Sequence, residues 1–243
     1  MPALAGDHVQ VLVAGYELTG DSNSLNVSDK RDTYDVAAFG DAVHKVVLGR
    51  RSLSLDHAGY LNSAAAASHP ILKATSIDGV VSVILGQNAA PATGDPMFSL
   101  YTLQGKYTTL AEAGKYVPFA AMFANKGLSG GWGSALAVPI SFTNSTNGAA
   151  VNNGAASSNG GAAFLHILTA AATDTYTITI QGSATGAFSG EQTTLATFSL
   201  NASALGSERV AINGAIPQYT RWSAVRSGSA GNTVRIAVNL VRF

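Results

Sequence analysis

Five histidines, three clustered aspartates and a glycine-rich loop are the residues of this chain with the means to do chemistry. His8, His44, His57, His69 and His166 are scattered. They form no H-E-x-x-H pattern and no i, i+4 pair that would present two imidazoles to zinc from one helix face. They read as solvated or core-edge residues. Asp29, Asp32 and Asp35 interleave with Lys30 and Arg31 in the densest charge cluster. Paired carboxylates act as acid and base when a pocket separates their pKa values, and nothing in this stretch encloses them, so a solvated arm is the expected form. Gly127, Gly130, Gly131 and Gly133 surround Trp132 but lack the Gly-Lys-Ser/Thr ending and the following helix of a phosphate cradle. They imply a turn or bulge at which backbones approach closely. Cysteine is absent and no G-x-S-x-G elbow occurs, so neither a thiol nor a serine nucleophile is indicated. No enzyme activity, cofactor or metal is expected.

Lys45, Arg50 and Arg51 could face phosphates or carboxylates. Aromatics do not interleave with them as in single-strand binding platforms, and 14 Lys plus Arg balance 14 Asp plus Glu, which argues against a basic nucleic-acid binder. Charged residues make up 12% of the 243, about half of the ~25% usual in soluble domains. Such a surface sets up little like-charge repulsion between copies and suits close self-packing. Without cysteine, nothing ties the fold to an oxidising compartment. The N-terminus shows no basic, then apolar, signal-peptide order, and no run approaches the ~18 apolar residues of a membrane helix. Synthesis in a cytoplasm and no membrane partner are expected.

The elements that must position these residues are strands. Ser52 to His57 alternates Leu53 and Leu55 with Ser52, Ser54 and Asp56. Thr175 to Gln181 alternates Tyr176, Ile178 and Ile180 with threonines, and Val234, Ile236, Val238 and Leu240 alternate at the end of the chain. A period of two marks half-buried antiparallel strands. Further strands are expected at 9–13, 45–48, 80–85, 98–103, 117–123, 138–142, 164–168, 195–200 and 219–225. Many short strands joined by Gly- and Asn-rich turns predict a mainly β protein, an antiparallel β-sandwich. One short helix is expected at Ser68 to Thr75, with Ser68 as cap and Pro70 in its first turn, and a second is possible at Thr109 to Ala113. Residues 143–163 hold one large apolar side chain, Val151, too little to offset ordering entropy alone. They read as a polar linker or extended hairpin, dividing a β domain at 1–142 from a C-terminal β-sandwich part at 164–243.

Two motifs near the start carry a resemblance. Gly15, Tyr16, Leu18, Thr19, Asn23, Ser24 and Val27 form a G-Y-x-L-[ST]-x-x-x-N-S-x-x-V pattern, followed by Asp35, Val36, Ala37, Phe39 and Gly40 as D-V-[TA]-x-F-G. Their order resembles the opening of the tail tube (major tail) proteins of long-tailed bacteriophages. From Phe164 onward the order of Leu165-His166-Ile167, Thr177 to Ser183, Glu208-Arg209-Val210, Tyr219 with Arg221, and Thr233 to Phe243 resembles a β-rich segment at the C-terminal end of phage tail and virion proteins. The resemblance implies a tail-tube-like sandwich beside one helix, in a structural protein of the virion tail, made in the host cytoplasm. It implies subunits that form rings, hexameric in the family, stacking into a tube that meets other tail proteins and passes double-stranded DNA without specific binding. Three subunits with pseudo-six-fold symmetry would suffice if the last part were a second tube-like domain.

In that family an arm reaches the neighbouring ring. The resemblance places it here on Asp29, Asp32, Tyr34, Asp35, Val36, Phe39, Val43 and Val46, in a connection longer than a plain turn needs. Ser52, Ser54 and Asp56 share one strand face and are the candidate lumen face. The alternative is a carbohydrate-binding or adhesive β-module on a virion surface, with Trp132, Trp222 or tyrosines as stacking platforms.

Overall fold

The computed structural model describes residues 8–87, 90–127 and 130–243. In chain order the elements are β1 (Val9–Val13), β2 (Tyr16–Glu17), a 3-10 turn (Thr19–Asp21), β3 (Ser22–Asp35), β4 (Val46–Tyr60), α1 (Ser68–Leu72), β5 (Asp78–Leu85) and β6 (Pro96–Thr109). They continue with β7 (Pro118–Asn125), β8 (Gly131–Phe142), β9 (Thr146–Asn147), β10 (Val151–Asn152), β11 (Gly161–Thr169), β12 (Thr175–Ser183), β13 (Thr193–Thr197), β14 (Gly206–Ile212), β15 (Tyr219–Ser227) and β16 (Val234–Arg242). The protein is mainly β, as its alternation predicts, and every strand pair is antiparallel. No helix among the described residues is long and apolar enough to cross a membrane.

An eleven-stranded sheet runs β14-β11-β16-β8-β6-β5-β1-β2 and branches at β6, whose second half pairs with β7, which pairs with β4, which pairs with β3. A five-stranded sheet of β10, β15, β12 and β13, with β9 also on β15, lies across the β8, β16 and β11 end. Period-two patterning decides what each strand buries. On β12, Tyr176, Ile178 and Ile180 turn inward to meet Leu165, Ile167, Ile236, Val238 and Trp222 in one core between the two sheets. On β4 and β7, Leu53, Leu55, Phe119 and Phe123 turn inward to a second core with Val11, Val81, Val83, Phe98 and Leu100, closed by Leu72 of α1. Residues 1–142 and 164–243 meet in the large sheet through β8 and β16, paired from Val234–Phe142 to Leu240–Ser134. Between them, β9 and β10 pair with β15, and 161–163 already belong to β11.

The large sheet also curls back so that the second face of β5 and β6 lies on the second face of β11 and β16. Val80 packs there with Ala162, Phe164 and Val241, and Leu12, Ile84 and Met97 with Ala135 and Ala237. A polar chain threads this seam. His166 Nε2 lies 2.9 Å from Ser82 Oγ, which lies 2.7 Å from Ser99 Oγ, and Asn239 Nδ2 donates to Ser99 Oγ at 2.8 Å. Buried polar groups must be paired this way to avoid a desolvation penalty. The close passage of β8 over β16 requires glycine at 133, where a Cβ would run into the Leu240 carbonyl.

Two local expectations differ from the structure. Helix α1 ends at Leu72 rather than Thr75, and its N-cap is Ala67, with no side-chain cap. Ser68 sits inside the helix, its Oγ accepting from Asn62 N–H at 3.2 Å and donating to the Tyr60 carbonyl at 3.3 Å, so it ties the preceding loop instead. Thr109 to Ala113 forms no helix, since Thr109 completes β6 in register with Phe119 and the next residues make the turn into β7.

His57 and His166 are buried rather than solvated. Burial depresses the His57 pKa from 6.5 to about 4, partly opposed by the Asp21 charge, and the His166 pKa from 6.5 to about 3. Below pH 6.5 the unfolded chain takes up protons that the native state excludes. Stability is therefore complete above 6.5 and falls as pH drops toward 4 and then 3, each histidine's slope approaching about 1.4 kcal/mol per pH unit. Carboxylates with depressed values, such as Asp29, lose their contribution only below about 3.8, the starting value for Asp. Urea unfolding should show a lower midpoint at pH 4.5 than at pH 7, and equal midpoints would contradict these assignments.

Candidate assembly arm

β3 and β4 form one antiparallel ladder from Ser22–Gly59 to Asp35–Val46, but β7 accompanies β4 only from Ser54 to Tyr60. From Asp29 to Arg51 the two strands and their connection run on without a third strand. Every residue in that span is exposed except Asp41 and Gly49, which are half-buried. An isolated two-stranded hairpin is marginal in water, so local bonds have to order it.

At its base, Arg51 Nε and Nη2 donate to both oxygens of Asp29, at 2.8 and 2.6 Å, in a bidentate pair across the strands. This bond holds the Asp29 carboxyl below its usual range against the opposing effect of partial burial. The Arg51 guanidinium also sits beside Gly131 of β8, where a Cβ would come within 2.6 Å of it. Further out, the register slips between Arg31 and Thr33, which faces Leu48. Gly49 lies beside the slip, and the Tyr34 ring covers the space that a Cβ there would take. At the tip, Val36 N–H donates to the Lys45 carbonyl at 2.8 Å, Ala37 N–H to Asp35 Oδ1 at 2.9 Å and Ala38 N–H to Asp41 Oδ2 at 2.8 Å. Lys45 Nζ reaches Asp41 Oδ1 at 2.5 Å and His44 Nδ1 lies 2.6 Å from Asp35 Oδ2. These bonds hold the Asp35 and Asp41 carboxyls below their usual values, for Asp35 chiefly through the Ala37 amide and for Asp41 through Lys45.

The ordered arm carries many exposed apolar side chains from its tip into the start of β4. Tyr34, Val36, Phe39, Val43, Val46, Val47 and Leu48 are all exposed, Phe39 at 112% of its reference area. These seven lie within fifteen residues, whereas the ten other exposed large hydrophobics of the described residues are spread over the rest of the chain. Contiguous exposed apolar surface marks an interaction site. The residues expected on the arm thus fall together: Asp29, Asp32, Tyr34 and Asp35 on β3, Val36, Phe39 and Val43 in the connection, and Val46 opening β4.

Ser52, Ser54 and Asp56 share the outward face of β4, opposite buried Leu53, Leu55 and His57. Across the ladder they face Lys30, Ser28 and Asn26, and on the β7 side Ala124 and Met122. The face mixes small polar side chains with Lys30 and Met122, and Asn26 Nδ2 donates to Asp56 Oδ2 at 3.4 Å.

Beneath this face lies a Ser–His contact that sequence spacing did not reveal. Ser22 Oγ lies 2.7 Å from His57 Nε2 and 2.7 Å from the Leu18 carbonyl. The carbonyl can only accept, so the hydroxyl proton goes to Leu18 and the imidazole donates from Nε2. His57 Nδ1 is buried without a partner. This pair is a strut between the turn before β3 and β4, since the imidazole has no lone pair aimed at the hydroxyl with which to activate it. Among the described residues no group of three or more His, Cys, Asp or Glu is placed to hold a metal ion. Of the two tryptophans, Trp222 is 2% exposed and belongs to the inter-sheet core, while Trp132 is 42% exposed beside the arm base.

The sequence matches no protein-family model and no curated protein. Among solved structures the chain is similar to one in the virion of a native gene transfer agent particle, with TM-score 0.42, 16% identity and coverage of 52% of this chain and 96% of that one. It is similar to one in the tail of an empty gene transfer agent particle with C6 symmetry, with TM-score 0.41, 16% identity and coverage of 52% and 96%. It is also similar to the Dit protein (gp 19.1) of SPP1, a hub adsorption protein of Gram-positive-infecting phages, with TM-score 0.32, 12% identity and coverage of 96% and 99%. Scores this low leave the reading of function to the chain's own geometry.

Replacing Arg51 by alanine should lower stability by about 1 kcal/mol, the scale of a partly exposed pair, while amide exchange in 29–35 and 46–51 accelerates. Unchanged exchange there would show that the Asp29 pair does not hold the arm.

Proposed function

We propose that the chain is a structural protein of a phage-type virion, and within it a tail tube subunit whose rings stack around a DNA conduit. The observation that carries this reading is the free-standing arm with an ordered apolar tip. A monomer gains nothing from presenting Phe39 and its neighbours to water, whereas an assembly that covers them recovers their burial energy. The edge of β3 left unpaired beyond β4 is a second feature that self-association would satisfy. Low charge and zero net charge remove the repulsion that would oppose it.

In this proposal the arm from Asp29 to Val46 reaches a neighbouring ring, and the face bearing Ser52, Ser54 and Asp56 lines the conduit. Residues 1–142 carry both, residues 143–163 connect, and residues 164–243 form the C-terminal layer. The serines and Asp56 of the lining face offer DNA no cationic contact and Lys30, across from Ser52, offers one, so few contacts that would retard passage are made. Rings would be hexameric, or trimeric with pseudo-six-fold symmetry, joined at their ends by other tail proteins.

Deleting Asp32 to Lys45 should leave a folded subunit that no longer stacks, read by circular dichroism and sedimentation, and tubes of normal length would refute the arm's role. Replacing Ser52 and Ser54 by lysine should slow DNA ejection without blocking assembly. Ejection at the parental rate would place this face outside the conduit.

A further inference from the structure

We infer that the groove beside Trp132, at the base of the arm, receives the arm tip of a second copy of the chain. This names the acceptor for the arm and rests on the assembly reading above. The groove has a volume of about 610 Å³. Half-buried Val9, Leu25, Val27 and Leu85 line it together with exposed Asn23 and Trp132. The indole is set edge-on against Phe98, ring centroids 5.3 Å apart, so a buried ring holds it in place while 42% of the residue stays open to solvent. The other side of Trp132 borders a recess lined by Asp29, Arg31, Arg51 and Arg242.

The arm's own tip cannot fill this site. The ladder from Asp29 to Asp35 carries the tip roughly 20 Å away at ~3.3 Å per residue, and the Arg51–Asp29 pair fixes that direction. The two ends of the arm are nonetheless complementary. The tip, 32–45, carries Asp32, Asp35 and Asp41 against Lys45, a net charge of −3 + 1 = −2 with His44 neutral. The recess at the base is lined by Arg31, Arg51 and Arg242 against Asp29, a net +3 − 1 = +2. An apolar, acidic tip therefore matches an apolar groove with a basic margin, both on the same chain. Such a contact is head-to-tail: each copy offers a tip to one neighbour and a groove to another, so it repeats along the direction of the arm. Several such contacts per ring act together, which lets each be individually weak.

The chain has no native cysteine, so introduced thiols report contacts without background. The full chain with Ala38→Cys at the tip and Asn23→Cys at the groove rim, assembled and treated with diamide, should give a ladder of disulfide-linked oligomers on non-reducing gels. Either single variant should stop at the dimer. A charge exchange gives an independent readout: Asp32→Lys and Arg31→Glu should each raise the critical concentration for assembly about tenfold, and mixing the two should restore it to within a few-fold. If neither a ladder nor restoration appears, while the wild-type chain assembles and the 32–45 deletion does not, the groove is the wrong acceptor and the arm reading survives. If the wild-type chain does not assemble at all, both fall. A Trp132→Ala variant that assembles normally but loses binding to a glycan array that the wild type shows would give the groove to a sugar and overturn the inference.

Discussion

The arrangement depends on one mismatch of strand length. β4 pairs with β7 only from Ser54 onward, yet its ladder with β3 continues to Val46. Where two strands lose the support of a third, their backbones keep their mutual hydrogen bonds but their side chains lose the opposing layer that would bury them. Leu53 and Leu55, on the supported side of that limit, are core residues, whereas Val46, Val47 and Leu48, on the other side, are exposed. The same strand therefore supplies both a core wall and a projecting arm whose apolar side chains the chain itself leaves exposed.

The body that carries the arm is made rigid by a seam uncommon in a simple sandwich. Because the large sheet curls onto itself, His166 and Asn239 from the end of the chain meet Ser82 and Ser99 from its first half inside a dry layer. These bonds join the two halves across the seam, although Asn239 Oδ1 is buried there without a partner. In the proposed assembly, such a body would carry the arm to its acceptor in the same geometry in every copy. The seam also predicts acid sensitivity, since burial lowers the His166 pKa to about 3.

Much of the fold was legible in the residues. β1 is found at Val9–Val13 as read, and the alternation of Tyr176, Ile178 and Ile180 and of Val234 to Leu240 gave faces that the structure buries. β12 has one wetter and one dry side, which is what a period of two reports, whereas β1 and β16 also bury their second face, with Leu12, Ala237, Asn239 and Val241 in the seam. β3 lacks that signal, because past Val27 neither of its faces is buried and its residues are charged and polar throughout; it read as an irregular arm rather than a strand. β11 hides its histidine for the opposite reason. Gly161 to Ile167 is buried on both faces, so no periodicity distinguishes His166 from Phe164. Ser68 looked like a helix cap because caps are recognised by residue type, but its hydroxyl had nearer partners in the preceding loop. The Trp132 groove was visible only as a cluster of glycines, since its walls come from β1, β3, β5 and β8.

The claim at the centre of this account is that another copy of the chain covers the arm. Hydrogen exchange of the intact protein, measured from dilute solution into the concentration range of assembly, tests it most directly. The account predicts that amides in 32–48 become protected by at least tenfold as the protein associates, while those of β12 and β16 hardly change. Association that leaves 32–48 exchanging as freely as in the monomer would contradict it.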